Sequence, residues 1–271
     1  MKTRPRPIRL IVTDLDGTFL GSDGTASPEN CAAVARAAEI GVPTVFATGR
    51  PARRLLALEP VRSARSLAIV SNGALVIDLA TQASIHVFPL DTAVIAEVFQ
   101  DVRSALPQAV FALEYVMGFG REECYPLFYG SDDATVVAPC AEALLDAGVP
   151  VKLLIRAGLP TQDLWARVAP VIGDRLYATF SFVSESGFLE LTRLGVSKAS
   201  TLRILLDEMG IAADDVVAFG DMPNDLPMLD LVGHPFIMDN AHESLKRRGY
   251  PMCGHHDDSA FATTVQALLG L

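Results

Sequence analysis

The sequence is poor in cysteine and in basic residues, and each shortage excludes a class of protein. Among 271 residues there are only four cysteines, and no two of them form a C-x-x-C pair. Neither a disulfide framework nor a zinc site is therefore expected. Acidic residues outnumber basic ones by 32 to 22, which gives a net charge of −10. Because the chain is acidic and has no basic block, we expect it to bind neither nucleic acid nor an anionic membrane.

Long apolar runs are also missing. No stretch approaches the roughly 20 apolar residues that a membrane-spanning helix needs. Near the N-terminus, Lys2, Arg4, Arg6 and Arg9 precede an apolar run, but that run ends at Val12 and is too short for a signal-peptide core. We therefore expect a soluble, cytoplasmic protein. Half of the residues are hydrophobic, enough to build one large or two modest domains.

Residues 11–20 combine an apolar run with two aspartates one residue apart. The run predicts a buried strand, and it stops at Asp14, with Asp16 and Gly17 directly after. Open α/β sheets bind their ligands just past the carboxyl ends of the strands. Since two neighbouring carboxylates repel each other, the pair predicts a site for a divalent metal. The alternative is a solvated turn, because Asp and Gly are common turn residues.

Polar clusters follow other predicted strands as well. The strand predicted over residues 43–47 ends at Thr48 and Gly49, and the strand over residues 215–219 ends in an acidic cluster over residues 220–225. Helical patterns alternate with these strands. This alternation predicts a parallel sheet whose polar strand ends lie at one edge. Between the two halves of this pattern lies a mixed α+β region, in which residues 117–134 are assigned to loops.

Five short motifs resemble those of the haloacid dehalogenase-like superfamily, in particular its Cof-type phosphatases with a type IIB cap. The motifs, in order, are DLDGT (14–18), ATGR (47–50), SNGA (71–74), GVSKAS around Lys198 and GDMPND (220–225). The insert of roughly a hundred residues is also similar to that cap in size. The resemblance implies an α/β fold, with a Rossmann-like parallel-sheet core (1–82 and 189–271) and an inserted α+β cap domain (83–188).

The resemblance also implies roles for individual residues. Asp14 would be the nucleophile that forms an aspartyl-phosphate, and Asp16 would protonate the leaving alcohol and later deprotonate the attacking water. The cofactor would be Mg²⁺, bound by the Asp14 carboxylate, the Asp16 main-chain carbonyl and Asp221. Lys198 would offset charge on the nucleophile and on the transferring phosphoryl group.

Four further residues are similar to phosphate-binding and supporting positions of the family. Thr48 would bond the phosphoryl oxygens, and Gly49 would leave its backbone amide accessible to them. Asn224 is expected to contact the phosphate. Asp225 would orient Lys198 or a metal-bound water, or would instead cap the following helix, since Asp is a favoured N-cap.

The implied substrate is a small phosphorylated metabolite, such as a sugar phosphate, pyridoxal phosphate or flavin mononucleotide. Five residues of the insert have side chains able to contact it, although most are expected at the surface: Glu114, Tyr115, Arg121, Tyr125 and Arg156. Two other functions stay open, a phosphomutase with the same chemistry and a non-enzymatic phospho-accepting metabolite sensor. Whether the chain is a monomer or a homodimer is undetermined.

Three other features have a structural and a functional interpretation. Arg50 is expected to pair with a neighbouring acid rather than to bind substrate. Asn72 either reaches the substrate or forms a turn with the glycine that follows it. His255 and His256 precede two aspartates, but their spacing matches no metal motif, so a solvated loop is expected there.

Overall fold

The computed structural model describes residues 7–62, 66–126 and 134–271, and its strands form two β-sheets. The strands, in chain order, are β1 (Leu10–Thr13), β2 (Thr44–Ala47), β3 (Leu67–Val70), β4 (Leu75–Asp78), β5 (Ser84–Val87), β6 (Val110–Tyr115), β7 (Phe119–Glu122), β8 (Val136–Ala138), β9 (Pro150–Arg156), β10 (Leu176–Thr179), β11 (Phe188–Arg193), β12 (Val216–Gly220) and β13 (His234–Ile237). The α-helices are α1 (Pro28–Glu39), α2 (Thr92–Ala105), α3 (Thr161–Ile172), α4 (Lys198–Met209), α5 (Leu226–Leu229), α6 (Glu243–Lys246) and α7 (Ala260–Leu269). In the described part of the chain, no helix combines the length and the apolar character needed to cross a lipid bilayer.

The first sheet has seven strands in the spatial order β13-β12-β1-β2-β3-β4-β5. Its first five strands run parallel, and β4 and β5 add an antiparallel edge. Every residue of β1 and β2 is buried, because α1 and α7 cover one face of the sheet while α4 and α5 cover the other. Parallel strands buried on both faces are continuously apolar. The predicted α/β fold with a Rossmann-like core is thus confirmed.

The second sheet has six strands in the order β10-β11-β9-β6-β7-β8 and is antiparallel except at β7 and β8. One face packs against α2 and α3, where Phe99, Phe111 and Leu164 belong to a separate apolar core. Successive side chains of a strand point to opposite faces, so the other face carries Glu114 of β6 and Lys152 of β9, both buried. This second face points toward the first sheet.

The predicted division into residues 1–82, 83–188 and 189–271 stays a prediction, but two strands fall on the other side of its boundaries. The strand β5 begins at Ser84 and pairs with β4, so it belongs to the first sheet. The strand β11 pairs with β9 and belongs to the second. A strand is assigned to the domain that contains the sheet to which it is hydrogen-bonded. We therefore propose boundaries near residues 88 and 194.

The assignment of residues 117–134 to loops is wrong in part. Phe119–Glu122 forms the strand β7, because its backbone pairs with β6 in the antiparallel direction. Local sequence gave little sign of this strand, since its residues alternate between aromatic, glycine and charged types. Residues 127–133 lie outside the described part of the chain.

The loop after β3 packs directly against the start of α4. Asn72 has a φ of 56° and Gly73 a φ of 108°, a conformation that glycine adopts at little cost. A Cβ atom at Gly73 would lie 2.3 Å from the carbonyl oxygen of Ser197. The Thr201 hydroxyl donates a hydrogen bond to the Gly73 carbonyl at 2.7 Å. This contact fixes the beginning of α4 beside the edge of the first sheet.

Replacing Gly73 with alanine is expected to destabilise the protein more than replacing Gly41. Both glycines have a positive φ, 108° and 86°, so either alanine costs about 1–2 kcal/mol in backbone conformation. Only the Gly73→Ala methyl group would also meet backbone atoms, because no described atom lies within 4 Å of a Cβ at Gly41. Thermal unfolding followed by circular dichroism measures the difference. Equal melting temperatures would contradict this packing.

Candidate active site

Loops that follow three parallel strands meet at the carboxyl edge of the first sheet. The strand β1 lies between β12 and β2, and its last residue is in register with the penultimate residue of each of these strands. The residues directly after these strands are Asp14, Thr48 and Asp221. The register therefore brings these three predicted site residues to one place, although they are far apart in the sequence.

A buried lysine lies between two aspartates at this edge. Lys198 Nζ donates hydrogen bonds to Asp14 Oδ1 at 2.6 Å and to Asp225 Oδ1 at 2.7 Å. All three side chains are almost fully removed from solvent, with only 1% of the Lys198 side chain exposed. Buried charges require partners. Two carboxylates share one ammonium group here. When all three groups are ionised, their net charge is negative.

The capping of α4 explains why Lys198 lies at this point. Ser197 is the N-cap residue, and its hydroxyl accepts the Ser200 backbone N–H at 3.1 Å. The Ser200 hydroxyl in turn accepts the Ser197 backbone N–H at 2.8 Å. This reciprocal capping box satisfies two backbone donors that a helix start leaves unpaired. It holds Lys198 in the first turn, next to Asp14.

Asp225 shapes the loop that follows β12. Its Oδ2 accepts the backbone N–H groups of Asp221 and Met222 at 3.1 and 3.0 Å, and its Oδ1 accepts Lys198. Within the described chain, the Asp225 side chain makes no cap hydrogen bond to α5. The alternative in which Asp225 caps this helix is therefore not observed. A Cβ at Gly220 would lie 2.7 Å from the Asp225 Cβ. Both carboxylate oxygens of Asp225 are thus engaged within the protein.

Asp221 lies against the turn that follows β1. The Thr18 hydroxyl donates to Asp221 Oδ1 at 3.1 Å. Gly17 has a φ of 76°, and a Cβ there would lie 2.4 Å from Asp221 Oδ2, so a larger residue would displace the carboxylate. Asn240 Nδ2 holds the turn by donating to the Gly17 carbonyl at 2.8 Å. The residues after β1 are therefore matched in shape to Asp221.

The buried carboxylates at this edge are electrostatically unfavourable. Burial raises the pKa of Asp14 to about 7, although the Lys198 charge acts in the opposite direction. Burial also raises the pKa of Asp221 to about 9, and the charges of Asp14 and Asp225 add to the effect. For Lys198, burial lowers the pKa, but Asp14 and Asp225 outweigh it, so the pKa rises. Without a cation, three ionised carboxylates beside one lysine are therefore unfavourable, and a bound cation would favour their ionised forms.

This cluster fits a hard divalent cation. Asp14, Asp221 and Asp225 each place a carboxylate oxygen within 4.8 Å of the others. Among the described residues, the Asp14 side chain accepts a hydrogen bond only from Lys198, and the Asp221 side chain accepts one only from Thr18. Both aspartates therefore retain oxygen atoms for a ligand. An all-oxygen donor set with excess negative charge is what Mg²⁺ prefers.

Asp16 lies apart from this cluster, in an ion pair with Arg50. Arg50 Nε donates to Asp16 Oδ2 at 2.8 Å, and Arg50 Nη2 donates to Asp16 Oδ1 at 2.5 Å. The expected pairing of Arg50 with an acid is confirmed. The Asp16 side chain remains 56% exposed, so the bidentate arginine fixes its orientation while leaving it accessible.

The loop after β2 is held from both sheets. Thr48 is buried, and its hydroxyl accepts the Arg50 backbone N–H at 3.0 Å. Lys152 of the second sheet donates from Nζ to the Gly49 carbonyl at 2.7 Å. A Cβ at Gly49 would lie 2.4 Å from Ser181 Oγ, so glycine permits the close approach of the two sheets here.

Asn72 and Asn224 form a second link between the sheets. Asn224 Nδ2 donates to Asn72 Oδ1 at 3.1 Å, and Asn72 Nδ2 donates to Thr179 Oγ1 at 3.2 Å. Asn72 also has the positive φ expected of a turn residue. Asn72 therefore forms the turn and also joins Asn224 to Thr179 through its side-chain hydrogen bonds. Asn224 is buried beside it, at the edge of the site.

A cavity of about 660 Å³ lies between the two sheets. From the first sheet it is lined by Asp16, Gly17 and Gly49, which adjoin Asp14 and Thr48 in the chain. From the second sheet it is lined by charged, aromatic and other residues that include Glu114, Phe119, Arg121, Tyr125, Lys152, Leu154, Ser181, Phe182, Phe188 and Glu190. A cavity of this size accommodates a small metabolite.

The expectation that most of the five candidate residues of the insert lie at the surface is wrong. Glu114, Tyr115, Arg121, Tyr125 and Arg156 are all buried, because the second sheet is covered on both faces. Three of them, Glu114, Arg121 and Tyr125, line the cavity. Tyr115 faces the core under the helices, where its hydroxyl donates to a backbone carbonyl at 2.7 Å.

Sequence reasoning missed three charged residues of the cavity. Arg53 donates to both oxygens of Glu114, at 3.0 and 2.6 Å. Lys152 Nζ lies 2.6 Å from Glu190 Oε1, and both side chains are only 3% exposed. For Lys152 the available signal was the sequence of β9, where one charged residue interrupts an apolar run. A charge in the middle of a buried strand indicates a face with polar partners.

His255, His256 and Asp257 also lie together, with possible ligand atoms within 4.8 Å of one another. Their hydrogen bonds already have a structural explanation. Asp257 accepts the backbone N–H and the hydroxyl of Ser22, each at 2.7 Å, and His256 Nδ1 lies 2.8 Å from the Leu20 carbonyl. These bonds fasten two partly exposed loops to each other.

Comparison with known proteins gives one family. The family model described as haloacid dehalogenase-like hydrolase matches residues 11–265. One sequence relative is a 5-amino-6-(5-phospho-D-ribitylamino)uracil phosphatase of Bacillus subtilis, 25% identical over 97% of this chain and 98% of the relative. Another is an HMP-PP phosphatase of Klebsiella pneumoniae, 27% identical over 88% of this chain and 86% of the relative.

Solved structures share the fold across the whole chain. A phosphatase of the haloalkanoate superfamily from Bacteroides thetaiotaomicron superposes with a TM-score of 0.84 at 22% identity, covering 99% of this chain and 97% of its own. A haloacid dehalogenase-like hydrolase from Bacillus subtilis gives a TM-score of 0.80 at 21% identity, covering 96% and 100%. At this level of identity, the likeness concerns the fold.

Mg²⁺ is expected to stabilise the protein against heat, and Asp221→Asn is expected to reduce that effect. A cation that binds only the folded state adds about 3 kcal/mol at 100 times its dissociation constant. Asp221→Asn removes one anionic ligand and part of the charge that attracts the ion. Differential scanning fluorimetry with MgCl₂ and with EDTA measures the shift. Asp207→Asn, at an exposed position of α4 outside both acidic clusters, is the control and should keep the full response, whereas a full response from Asp221→Asn would contradict the assignment.

Proposed function

Because the chain belongs to the family of haloacid dehalogenase-like hydrolases, we propose that it is a Mg²⁺-dependent phosphatase that hydrolyses a small phosphorylated metabolite through an aspartyl-phosphate on Asp14. The family of the chain, together with relatives that are named phosphatases, indicates that the chain is a hydrolase of phosphoric monoesters. The observation that carries the finer proposal is the buried contact of 2.6 Å between Asp14 and Lys198. It lies at the edge of the first sheet, and Asp16, two residues after Asp14, lines the cavity.

Asp14 is the proposed nucleophile. Its bond to Lys198 favours the ionised carboxylate, which is the form able to attack phosphorus. Attack forms a bond between an Asp14 oxygen and phosphorus and breaks the bond between phosphorus and the ester oxygen. Lys198 remains beside the transferring group and offsets its negative charge, a stabilisation that dominates phosphoryl transfer. Asp225 keeps Lys198 in place through its own hydrogen bond of 2.7 Å.

Asp14 and Asp221 are proposed to hold the metal, together with the Asp16 main-chain carbonyl that the family resemblance implies. Bound there, Mg²⁺ would offset the repulsion between the carboxylate and the anionic phosphate ester. Two features of the site support this assignment, the raised pKa values of both aspartates and the free oxygen atoms described above. Asp225 supports the site through the backbone of Asp221 and through Lys198.

Asp16 is the proposed general acid and base. It lines the cavity and lies two residues from the proposed nucleophile in the sequence. Both oxygens of Asp16 accept from Arg50, so one of them would first leave Arg50 and take up a proton from solvent. In the first step that proton would pass to the ester oxygen as the bond to phosphorus breaks. In the second it would take a proton from the water that attacks the aspartyl-phosphate and regenerates Asp14. Arg50 orients the carboxylate between these steps.

Thr48, Gly49 and Asn224 are proposed to bind the phosphate. The loop after β2 carries the Thr48 hydroxyl and the Gly49 amide, and the loop after β12 carries the Asn224 amide. Lys152 fastens the first of these loops to the second sheet. We call the unit built on the second sheet the cap. Because it lies over this edge of the first sheet, the cap would exclude bulk water from the reacting groups.

The substrate is proposed to be a small phosphorylated metabolite, because the cavity between the first sheet and the cap has a volume of only about 660 Å³. One relative is named for a phosphorylated ribitylaminouracil and another for HMP-PP, which supports a small phosphorylated substrate. The phosphomutase alternative would transfer the phosphoryl group from Asp14 to a second hydroxyl group. A phospho-accepting sensor would need neither an acid and base beside the nucleophile nor a cavity between the first sheet and the cap.

Phosphate release should require both Mg²⁺ and Asp14. The substrates to test are sugar phosphates, pyridoxal phosphate, flavin mononucleotide and p-nitrophenyl phosphate, each with MgCl₂ and with EDTA. Asp14→Asn removes the nucleophile, so the rate should fall by roughly a factor of 1,000 or more. Asp207→Asn, at an exposed position of α4, is the control and should retain full activity. Isomerised phosphate esters without inorganic phosphate would favour a mutase, and a persistent phosphoenzyme without turnover would favour a sensor.

Asp16→Asn should discriminate between substrates by their leaving groups. A sugar alkoxide needs a proton as it departs, whereas p-nitrophenolate is stable without one. General acid catalysis contributes roughly 100- to 10,000-fold, so kcat/KM should fall by such a factor for a sugar phosphate and much less for p-nitrophenyl phosphate. Because kcat/KM reports on the first phosphoryl transfer, slow hydrolysis of the intermediate does not affect it. An equal loss for both substrates would count against Asp16 as the acid.

A further inference from the structure

A lysine of the cap contacts the loop that follows β2. Lys152 belongs to β9, and its ammonium group donates one hydrogen bond to the Gly49 carbonyl at 2.7 Å and another to Glu190 Oε1 at 2.6 Å. The residue is only 2% exposed. Among the described residues, no other donor reaches the Gly49 carbonyl. The position of this carbonyl therefore depends on the cap as well as on the first sheet.

The Gly49 carbonyl belongs to the same peptide unit as the Arg50 N–H. A peptide unit is planar, so a bond that fixes its carbonyl also fixes the direction of its N–H. This N–H donates to the Thr48 hydroxyl oxygen at 3.0 Å. A cation bonded to the carbonyl also polarises the peptide and strengthens the bond that its N–H donates. The Lys152 ammonium group is thus connected to the Thr48 hydroxyl through one rigid peptide.

The bond from Arg50 determines what the Thr48 hydroxyl is able to do. A hydroxyl has one hydrogen to donate, and because the oxygen accepts the Arg50 N–H, this hydrogen points elsewhere. In the described part of the chain, it has no acceptor. The Thr48 backbone is fixed separately, since its N–H donates to the Ile69 carbonyl at 2.8 Å and its carbonyl accepts the Asn72 N–H at 3.0 Å. The Thr48 side chain therefore has a donor for a ligand oxygen, such as that of a phosphoryl group.

Glu190 holds the lysine at this position. Its Oε1 accepts a hydrogen bond from Lys152, and its Oε2 accepts one from the Ser181 hydroxyl. A Cβ at Gly49 would lie 2.4 Å from Ser181 Oγ, so the cap packs closely against the loop after β2. An anion and tight packing both restrict the ammonium group. The contact with the loop is thus made by a fixed side chain rather than by a mobile surface lysine.

We propose that Lys152 is a positioning residue of the cap, which orients the Thr48 hydroxyl toward the phosphate through the peptide between Gly49 and Arg50. This inference rests on the proposed phosphatase function, in which Thr48 binds the phosphoryl oxygens. It adds a contribution of the cap to phosphate binding. A lysine that lines the cavity has two rival roles, direct contact with the phosphate and contact with the leaving group.

The first experiment separates a role in phosphate binding from a role in binding the leaving group. Replacing Lys152 alone would leave Glu190 buried without its partner and would endanger folding, so the variant is Lys152→Met/Glu190→Gln, which removes both charges. We expect kcat/KM to fall roughly 10- to 100-fold, as for the loss of a hydrogen bond to a charged group. Ribose 5-phosphate and p-nitrophenyl phosphate should lose the same factor, because they share the phosphate. Unequal losses, or no loss, would overturn the proposal.

A double-mutant cycle with Thr48→Val separates positioning from direct contact with the phosphate. Thr48→Val keeps the shape of the side chain and removes the hydroxyl, so it should cost a similar factor by itself. In the Thr48→Val protein, the paired Lys152 and Glu190 substitutions should add less than roughly a threefold loss, because the group that Lys152 orients is already missing. Losses that multiply would mean that Lys152 acts without Thr48, and they would overturn the proposal.

Tyr115→Phe is the matched control. It also removes one buried hydrogen bond from a cap side chain to a backbone carbonyl, in this case the Leu144 carbonyl at 2.7 Å. Because Tyr115 lies on the face of the second sheet that packs against the helices, kcat/KM should stay unchanged with and without Thr48→Val. A loss equal to that of the paired variant would mean that any weakening of the cap has this effect, and it would overturn the assignment to Lys152.

Binding of inorganic phosphate distinguishes failure of this inference from failure of the proposed function. Isothermal calorimetry with the Mg²⁺-loaded protein measures phosphate affinity without turnover. The paired variant should bind phosphate more weakly only when Thr48 is present. That result without hydrolysis of any ester by the unmodified protein would sink the phosphatase function and leave the positioning role standing. Hydrolysis by the unmodified protein together with losses that multiply would do the reverse.

Discussion

The site depends on the balance of charge around one buried ammonium group. Lys198 bonds Asp14 and Asp225, and Asp225 uses its other oxygen to hold the backbone of Asp221. The proposed nucleophile, the proposed metal ligand and their support are therefore one network, in which each bond constrains the others. Three buried carboxylates against one lysine leave an excess of negative charge. That excess is costly to a fold without a ligand, and it is also what attracts a divalent cation.

The parallel sheet makes this arrangement possible because it brings distant residues to one edge. Asp14 and Asp221 are more than two hundred residues apart, yet β1 and β12 are neighbours in the sheet. The turn after β1 then fits Asp221 so closely that a Cβ at Gly17 would lie 2.4 Å from the carboxylate. The helix α4 is placed by an equally close contact with Gly73. Backbone packing, rather than flexible side chains, thus sets the distances within the site.

The sequence predicted the core of the site better than it predicted the cap. Asp14, Lys198 and Asp221 follow strand ends or begin a helix, positions that local patterns reveal, and a family resemblance supplies their proposed roles. The charged cavity wall depends on pairing between strands far apart in the chain, such as Glu114 opposite Lys152. Local patterns do not report which face of such a sheet is covered. For the same reason the buried cap residues were expected at the surface, and β7 was assigned to a loop.

The buried pair formed by Lys152 and Glu190 indicates what the cavity-facing side of the cap is for. Both side chains are 3% exposed, and replacing a buried ion pair with apolar residues is often neutral or stabilising. Stability alone therefore does not explain the pair. Lys152 also donates to the carbonyl of Gly49, beside Thr48, and Glu190 accepts a hydrogen bond from Ser181. The charges join the cap to the loop that would bind phosphate.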